Sequence, residues 1–296
     1  MIGFVKIEDC PLCGRHGKTL YHEQFTSPHL WGFIESSYVD VPREPFIGEE
    51  FIVKRCPKCD FRWQGNILNP EGMDAFYGSW IPKESLNKRR CGDSETYAGY
   101  AREAGLISRL VGKKNHDIDV LDFGMGWGYW CLMAKAFGYK VTGCELSDER
   151  RAHAKEELAI SSVKSLAESG KRFDFINTEQ TLEHIPHPKE VLTSLVESLK
   201  EKGIIYVSVP DGRKLKSNDF SKANFEKAPW RSLKPLEHIN CFTHDSLISL
   251  AKGLGLKPIS QPFKLSHRHG PSSVARGVMK RFYLQYLGTS LYFKKT

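Results

Sequence analysis

The run Val120-Leu121-Asp122-Phe123-Gly124-Met125-Gly126-Trp127-Gly128 limits the folds open to this chain more than any other segment. A short stretch of buried-strand character breaks into a turn with glycine at every second position, and a helical pattern follows at once. Glycines so spaced remove the β-carbons from one side of the turn, so a ligand can lie against bare backbone. About twenty residues further on, Lys140-Val141-Thr142-Gly143-Cys144-Glu145 reads as a second short strand ending in an acid, the place from which a carboxylate accepts both hydroxyls of a ribose. The spacing is not that of a dinucleotide site. GxGxxG keeps two residues before its last glycine so that a helix N-terminus faces a pyrophosphate. GxGxG without that interval suits a nucleoside lacking phosphate, and so points to S-adenosylmethionine.

Around this loop, strands and helices alternate. The patterns predict strand 118–123, helix 128–137, strand 139–144, helix 148–158, a short strand near 160–165, strand 173–177, helix 188–200 and strand 203–209. Further on come a helix starting at His244, a strand from Lys257 to Leu265, a basic helix over about 271–286 and a last strand at Ser290-Leu291-Tyr292-Phe293-Lys294. Such alternation specifies a mostly parallel sheet with helices on both faces.

With its motifs in this order, the chain from about Asp117 onward resembles the class I S-adenosylmethionine-dependent methyltransferases. Asp122-x-Gly124-x-Gly126-x-Gly128 is similar to their first motif and Glu145 to their second. Phe173-Asp174-Phe175-Ile176-Asn177, then Leu182-Glu183-His184-Ile185-Pro186, resemble the fourth strand and its loop. The resemblance implies a Rossmann-like α/β fold on a mostly parallel seven-stranded sheet, with the last strand antiparallel. It also implies S-adenosylmethionine as cofactor, held by Asp122, Gly124, Gly126, Gly128, Glu145 and Asn177. At Ser165-Leu166-Ala167 many relatives place an acid against the adenine amine. None stands here, so a backbone contact to the adenine is expected.

Half of the eight cysteines form two matched turns, Cys10-Pro11-Leu12-Cys13 and Cys56-Pro57-Lys58-Cys59. Two such knuckles facing each other make a tetrahedral four-thiolate site, the preferred structural geometry for zinc. A disulfide is the weaker explanation in a reducing cytosol. The long interval between the knuckles implies a ribbon with an inserted hairpin. Cys91, Cys131, Cys144 and Cys241 read as scattered buried or surface thiols. The expected organisation is a zinc-ribbon module over 1–66, a connector with a cofactor-covering helix over 67–116, and the methyltransferase domain over 117–296. The connector carries an Asn69-Pro70-Glu71-Gly72 turn and a helix over 94–111 with Ser94 as N-cap.

A net charge of +8 and a pI near 9.0 are concentrated only at Lys83 to Arg90 and at Lys264 to Arg281, with His267 and His269 interleaved in the second. A solvated basic face, an RNA grip and a grip on a sugar-nucleotide pyrophosphate all fit such clusters. No apolar run approaches the ~20 residues a membrane span needs. The N-terminal residues are too few and too polar for a signal peptide, so a cytoplasmic protein is expected.

The order of zinc ribbon, Asn69-Pro70, Phe76-Tyr77-Gly78 and methyltransferase core resembles bacterial enzymes that methylate sugars, sugar nucleotides or natural-product precursors, often for surface polysaccharide. Among them are zinc-binding sugar C-methyltransferases with a late Glu-His-x-x-Tyr-Phe segment. Glu237-His238-Ile239-Asn240-Cys241-Phe242 resembles it, which implies His238 as general base, and imidazole suits proton transfer near neutral pH. Pro235 and Cys241 depart from the family pattern, where tyrosines stand, so O-methylation is at least as strong a reading as C-methylation. His184 is the other candidate base, in the loop where open α/β sheets bind ligands, and Glu179 lies near the same mouth. The competing enzyme reading is an RNA base methyltransferase whose ribbon holds RNA. It expects a base-stacking motif after the fourth strand, where this chain has Asn177-Thr178-Glu179-Gln180. A non-enzymatic zinc-ribbon binding module is a third reading, weakened by the intact glycine motif and Glu145.

Overall fold

The computed structural model describes residues 1–82, 93–215, 220–260 and 288–296. Cys91, the basic clusters 83–90 and 264–281 with His267 and His269, the helix expected over 271–286 and the end of the strand expected over 257–265 lie outside the described residues.

Thirteen strands occur among the described residues. They are β1 (Phe4–Lys6), β2 (Lys18–Gln24), β3 (Glu50–Arg55), β4 (Arg62–Gln64), β5 (Asn66–Leu68), β6 (Asp119–Phe123), β7 (Lys140–Cys144), β8 (Ser162–Val163), β9 (Phe173–Glu179), β10 (Leu199–Ser208), β11 (Asn240–Cys241), β12 (Leu256–Ile259) and β13 (Ser290–Lys295). The chain divides into two compact units. One comprises residues 1–90, 182–189 and 210–247, the other residues 91–181, 190–209 and 248–296.

The second unit is built on a seven-stranded sheet of order β12-β13-β10-β9-β6-β7-β8. β8, β7, β6, β9 and β10 run parallel, while β13 is antiparallel to both β10 and β12. This is the class I methyltransferase arrangement, with its single reversed strand. The central strands are apolar where they are covered on both faces: Val120, Leu121, Phe175, Ile176, Ile204 and Ile205 are buried. The helix Ser94–Val111 lies on one of these faces, placing Ala104 and Ile107 in a core with Val120, Trp130, Phe175 and Tyr292. Its N-cap is Asp93, whose carboxylate accepts from the Thr96 amide. Ser94, the expected cap, is the first helical residue. Both residues are good caps, and the choice falls to the one whose side chain reaches the amide three positions on.

The first unit carries a four-stranded sheet of order β11-β4-β3-β2. β2 and β3 form the expected hairpin, and the helix Pro28–Ser37 is inserted between them. Asn69 does more than turn the chain: it caps the helix Pro70–Ala75 by accepting from the Gly72 amide. The core is aromatic, with Phe25, Trp31, Phe46, Phe51, Phe76, Trp80, Phe220 and Phe225 all buried together. Four of these residues, Phe76, Trp80, Phe220 and Phe225, follow the expected ribbon in sequence, so the packing continues past residue 66. The segment 210–247 packs with the first unit, where Asn240 and Cys241 pair with Trp63 and Arg62 as an edge strand.

Candidate functional site

In the sheet unit the glycine loop follows β6, where Gly124, Gly126 and Gly128 all take positive φ (77°, 56° and 86°). A β-carbon at Gly124 would stand 2.4 Å from Thr181 Oγ1, so the loop closes tightly against the chain after β9. At Gly126 nothing lies within 4 Å of that position. Its outer side is open space, the bare backbone cradle that the sequence pattern calls for.

Glu145 follows β7 and is 9% exposed. Its Oε2 accepts from the Gly126 amide at 3.0 Å and its Oε1 from the Ser147 amide at 3.0 Å. The acid thus locks the glycine loop, and each oxygen keeps further lone-pair capacity for ligand hydroxyls. Asp122 and Asn177 are in register on adjacent strands and bonded to each other, Asn177 Nδ2 donating to Asp122 Oδ1 at 2.7 Å. Cys131 Sγ donates to Asp122 Oδ2 at 3.4 Å. Asp122 is 3% exposed, and burial pushes its carboxyl up to about 7 against the pull of those two hydrogen bonds. Asn177 Oδ1 is buried with no hydrogen-bond partner among the described residues. An unmatched buried acceptor of this kind is costly in a finished core, and it fits a position that a ligand's donors complete.

Two acids on the same face escaped the sequence reading as a group. Glu179 ends β9 level with Ser208. Burial, with like charges at Glu103 and Asp122, pushes its carboxyl up to about 7. Glu103, on the covering helix, is also pushed up by burial and accepts from Trp130 Nε1 at 3.1 Å. The period of the helix could have put Glu103 on its inner face, but not opposite the end of β9. Near Ser165, where relatives have an adenine-contacting acid, the first acid is Glu168. It is exposed and accepts from the Lys164 amide.

In the other unit the two knuckles meet. Cys10 Sγ lies 3.7 Å from Cys59 Sγ, and Cys13 Sγ lies 3.5 Å from Cys56 Sγ and 3.9 Å from Cys59 Sγ. Matched backbone bonds form the turns, Gly14 N to Cys10 O at 2.9 Å and Asp60 N to Cys56 O at 3.1 Å. Sulfurs bonded at about 2.3 Å to one tetrahedral ion stand about 3.8 Å apart, so these spacings fit a single zinc. The hydrogen bond between Cys10 and Cys59 holds the Cys59 thiol down and pushes the Cys10 thiol up. Cys131, Cys144 and Cys241 are buried free thiols.

The same unit brings together both candidate histidines. Their rings are 4.8 Å apart at 80°. His184 Nδ1 donates to Glu237 O at 2.9 Å, with Tyr77 OH at 3.1 Å, and His238 Nδ1 donates to Arg231 O at 2.7 Å. His238 is 7% exposed. Burial and the neighbouring His184 push it down to about 3, so its ring is neutral at ordinary pH. Beside them is Glu183, 0% exposed, with Oε1 3.8 Å from His184 Nε2. The sequence reading passed over Glu183, because adjacency to His184 carries no sign of its burial.

A family model described as a methyltransferase domain matches residues 97–261. The ubiquinone biosynthesis O-methyltransferase of Shewanella halifaxensis is 28% identical over 141 residues, 44% of this chain and 54% of that protein. The enzyme of the same name from Nitrosococcus oceani is 36% identical over 109 residues, 33% of this chain and 44% of that protein. The chain thus spans about half the length of the curated relatives it matches. Among solved structures, the magnesium protoporphyrin IX methyltransferase of Synechocystis PCC 6803 with bound SAH matches 76% of this chain and 98% of that one, at 15% identity and a TM-score of 0.48. The family match covers more than half of the sequence and takes in six of the seven sheet strands and the glycine loop. This chain belongs to the methyltransferase-domain family.

Proposed function

We propose that this protein transfers a methyl group from S-adenosylmethionine to a hydroxyl of a small acceptor, a sugar or sugar nucleotide, in the cytoplasm. One observation carries the cofactor assignment: Glu145 is fixed by two backbone amides beside Gly126, whose outer side is open. When bound, S-adenosylmethionine supplies a methyl group on a sulfonium with its own leaving group, which leaves positioning as the protein's main task. Glu145 accepts the ribose hydroxyls on its remaining lone pairs. Gly124, Gly126 and Gly128 admit the ligand to the backbone. Asp122 and Asn177 stand behind them as a bonded pair, with Asn177 Oδ1 offering an unmatched acceptor.

Oxygen is favoured as the methylated atom because the curated relatives are named O-methyltransferases. The sugar assignment rests on the resemblance of the ribbon, the Asn69-Pro70 helix start and the Glu237-His238 segment to sugar-modifying enzymes. Proton removal from the acceptor is assigned to His184 or His238, and zinc at Cys10, Cys13, Cys56 and Cys59 is assigned a structural role. No described helix is long and apolar enough to cross a membrane.

The test has two parts. Glu145→Ala should weaken cofactor binding more than tenfold by calorimetry, and unchanged affinity rejects the ribose assignment. Labelled methyl from the cofactor should pass into small molecules or glycan in a native lysate. Label in large, RNase-sensitive material would overturn the acceptor and leave the ribbon as an RNA grip.

A further inference from the structure

The N-terminal unit holds a second group of metal-type donors besides its thiols. One donor atom each from Glu183, His184 and His238 lies within 4.8 Å of the others. We propose that these three side chains form a second metal site, which takes one divalent transition-metal ion of borderline softness, with zinc as the representative case. The inference rests on this unit alone and does not depend on the methyl-transfer reading; an ion held there occupies both Nε2 lone pairs, so a loaded site would replace His184 or His238 as the free base.

Four features converge on it. The donor set of two imidazoles and one carboxylate suits such ions, whereas calcium and magnesium favour oxygen ligands. Each ring gives its Nδ1 proton to a backbone carbonyl, Glu237 O for His184 and Arg231 O for His238. That bond fixes the tautomer and puts the ring lone pair on Nε2, the way metal-ligating histidines are held. The rings meet edge to face at 80° rather than stacking. Finally, Glu183 is wholly buried, and its Oε1 lies 3.8 Å from His184 Nε2, so the carboxylate is held inside the cluster rather than in solvent.

The backbone under the cluster is braced before any ion arrives. Asn240 Nδ2 donates to Leu182 O at 3.3 Å and to Ile185 O at 2.6 Å, tying the 182–185 turn to the strand that follows His238. Donors on a tetrahedral zinc stand about 3.4 Å apart, so binding needs side-chain shifts of only ~1 Å. Unlike the four-thiol site, three protein donors leave coordination positions open. Water or a hydroxylated ligand can occupy them, and an ion there lowers the pKa of whatever oxygen it holds.

The purified full chain tests this by metal content and cobalt spectroscopy. Loading with excess zinc, then desalting, should leave two ions per chain, one of them at the thiols. With cobalt, the thiol site shows sulfur-to-metal charge-transfer absorption and the second ion adds d–d bands without it. His238→Ala and Glu183→Gln should each keep the charge-transfer signal, lose the second set of bands and weaken the second ion by ~10²-fold or more. If either variant fails to fold, zinc titrated calorimetrically into wild-type protein already holding its thiol-bound ion decides the matter. A second equivalent supports the site. Saturation at one ion per chain, or a second equivalent undiminished in both folded variants, overturns it.

Discussion

The sheet unit and the N-terminal unit hold their polar side chains by opposite backbone groups. At the glycine loop, amides do the holding: Gly126 N and Ser147 N donate to the two oxygens of Glu145. At the histidine cluster, carbonyls do it: Glu237 O and Arg231 O each accept a ring proton. Donated amides orient a carboxylate as a hydrogen-bond acceptor toward a ligand rich in hydroxyls. Accepting carbonyls leave the imidazoles as neutral lone-pair donors. The first arrangement leaves acceptor capacity beside the glycine loop, and the second leaves neutral ring nitrogens.

The largest test of this contrast is at the four thiols of the N-terminal unit, the cluster proposed to hold zinc. Structural zinc in small modules contributes ~10–16 kcal/mol of apparent binding energy, as much as the whole stability of a typical domain. Cys56→Ser should release zinc and collapse the knuckle end of that unit. Loss of the near-ultraviolet dichroism of the stacked Phe61 and Trp63 would report the collapse. Wild-type protein that contains no zinc, or a variant that keeps both metal and dichroism, would show that hydrogen-bonded thiols alone suffice.

A smaller effect separates the regions by pH. Burial raises the Asp122 carboxyl from the ordinary 3.8 to about 7 in the folded protein. The folded state therefore favours the protonated acid more than the unfolded chain does. The stability this contributes is fully present below about 3.8 and is lost as pH rises through about 7. Asp122→Asn removes the linkage. Its stability curve should run flatter than wild type between pH 4 and 7, with the difference reaching a few kcal/mol near neutrality. Parallel curves in denaturant titrations at several pH values would mean that Asp122 stays ionised beside Asn177 throughout.

The same contrast explains what was legible beforehand. The glycine loop, Glu145 and each cysteine knuckle are short-range features whose spacing alone sets their geometry. The mostly parallel seven-stranded sheet followed from alternation and from the family resemblance, and most of its described elements fell within a few residues of expectation. The histidine pair was legible only as two separate candidates. It is assembled when 210–247 leaves the sheet unit and adds Asn240 and Cys241 to the N-terminal sheet, a long-range pairing that no local pattern announces. Glu183 and Glu103 were missed for a related reason. An acid in a loop or on a helix reads as solvated until the segment that covers it is known.

The finest test lies within the glycine loop, between two residues two positions apart. Gly124 and Gly126 both have φ in the left-handed region, which costs an L-residue about 1–2 kcal/mol. Only Gly124 adds a collision, its β-carbon meeting Thr181 Oγ1 at 2.4 Å. Thr181 cannot yield freely, because that hydroxyl donates to Glu179 O at 3.0 Å. Gly124→Ala should therefore cost about 2–3 kcal/mol in denaturant unfolding and Gly126→Ala about 1. Cofactor affinity should separate them the other way. A methyl group at Gly126 enters the open cradle itself, so that variant should lose most of its binding while staying folded. If Gly126→Ala bound the cofactor as wild type does, the ligand would not lie over that glycine. The amide-held acid beside it would then be only a brace for the loop.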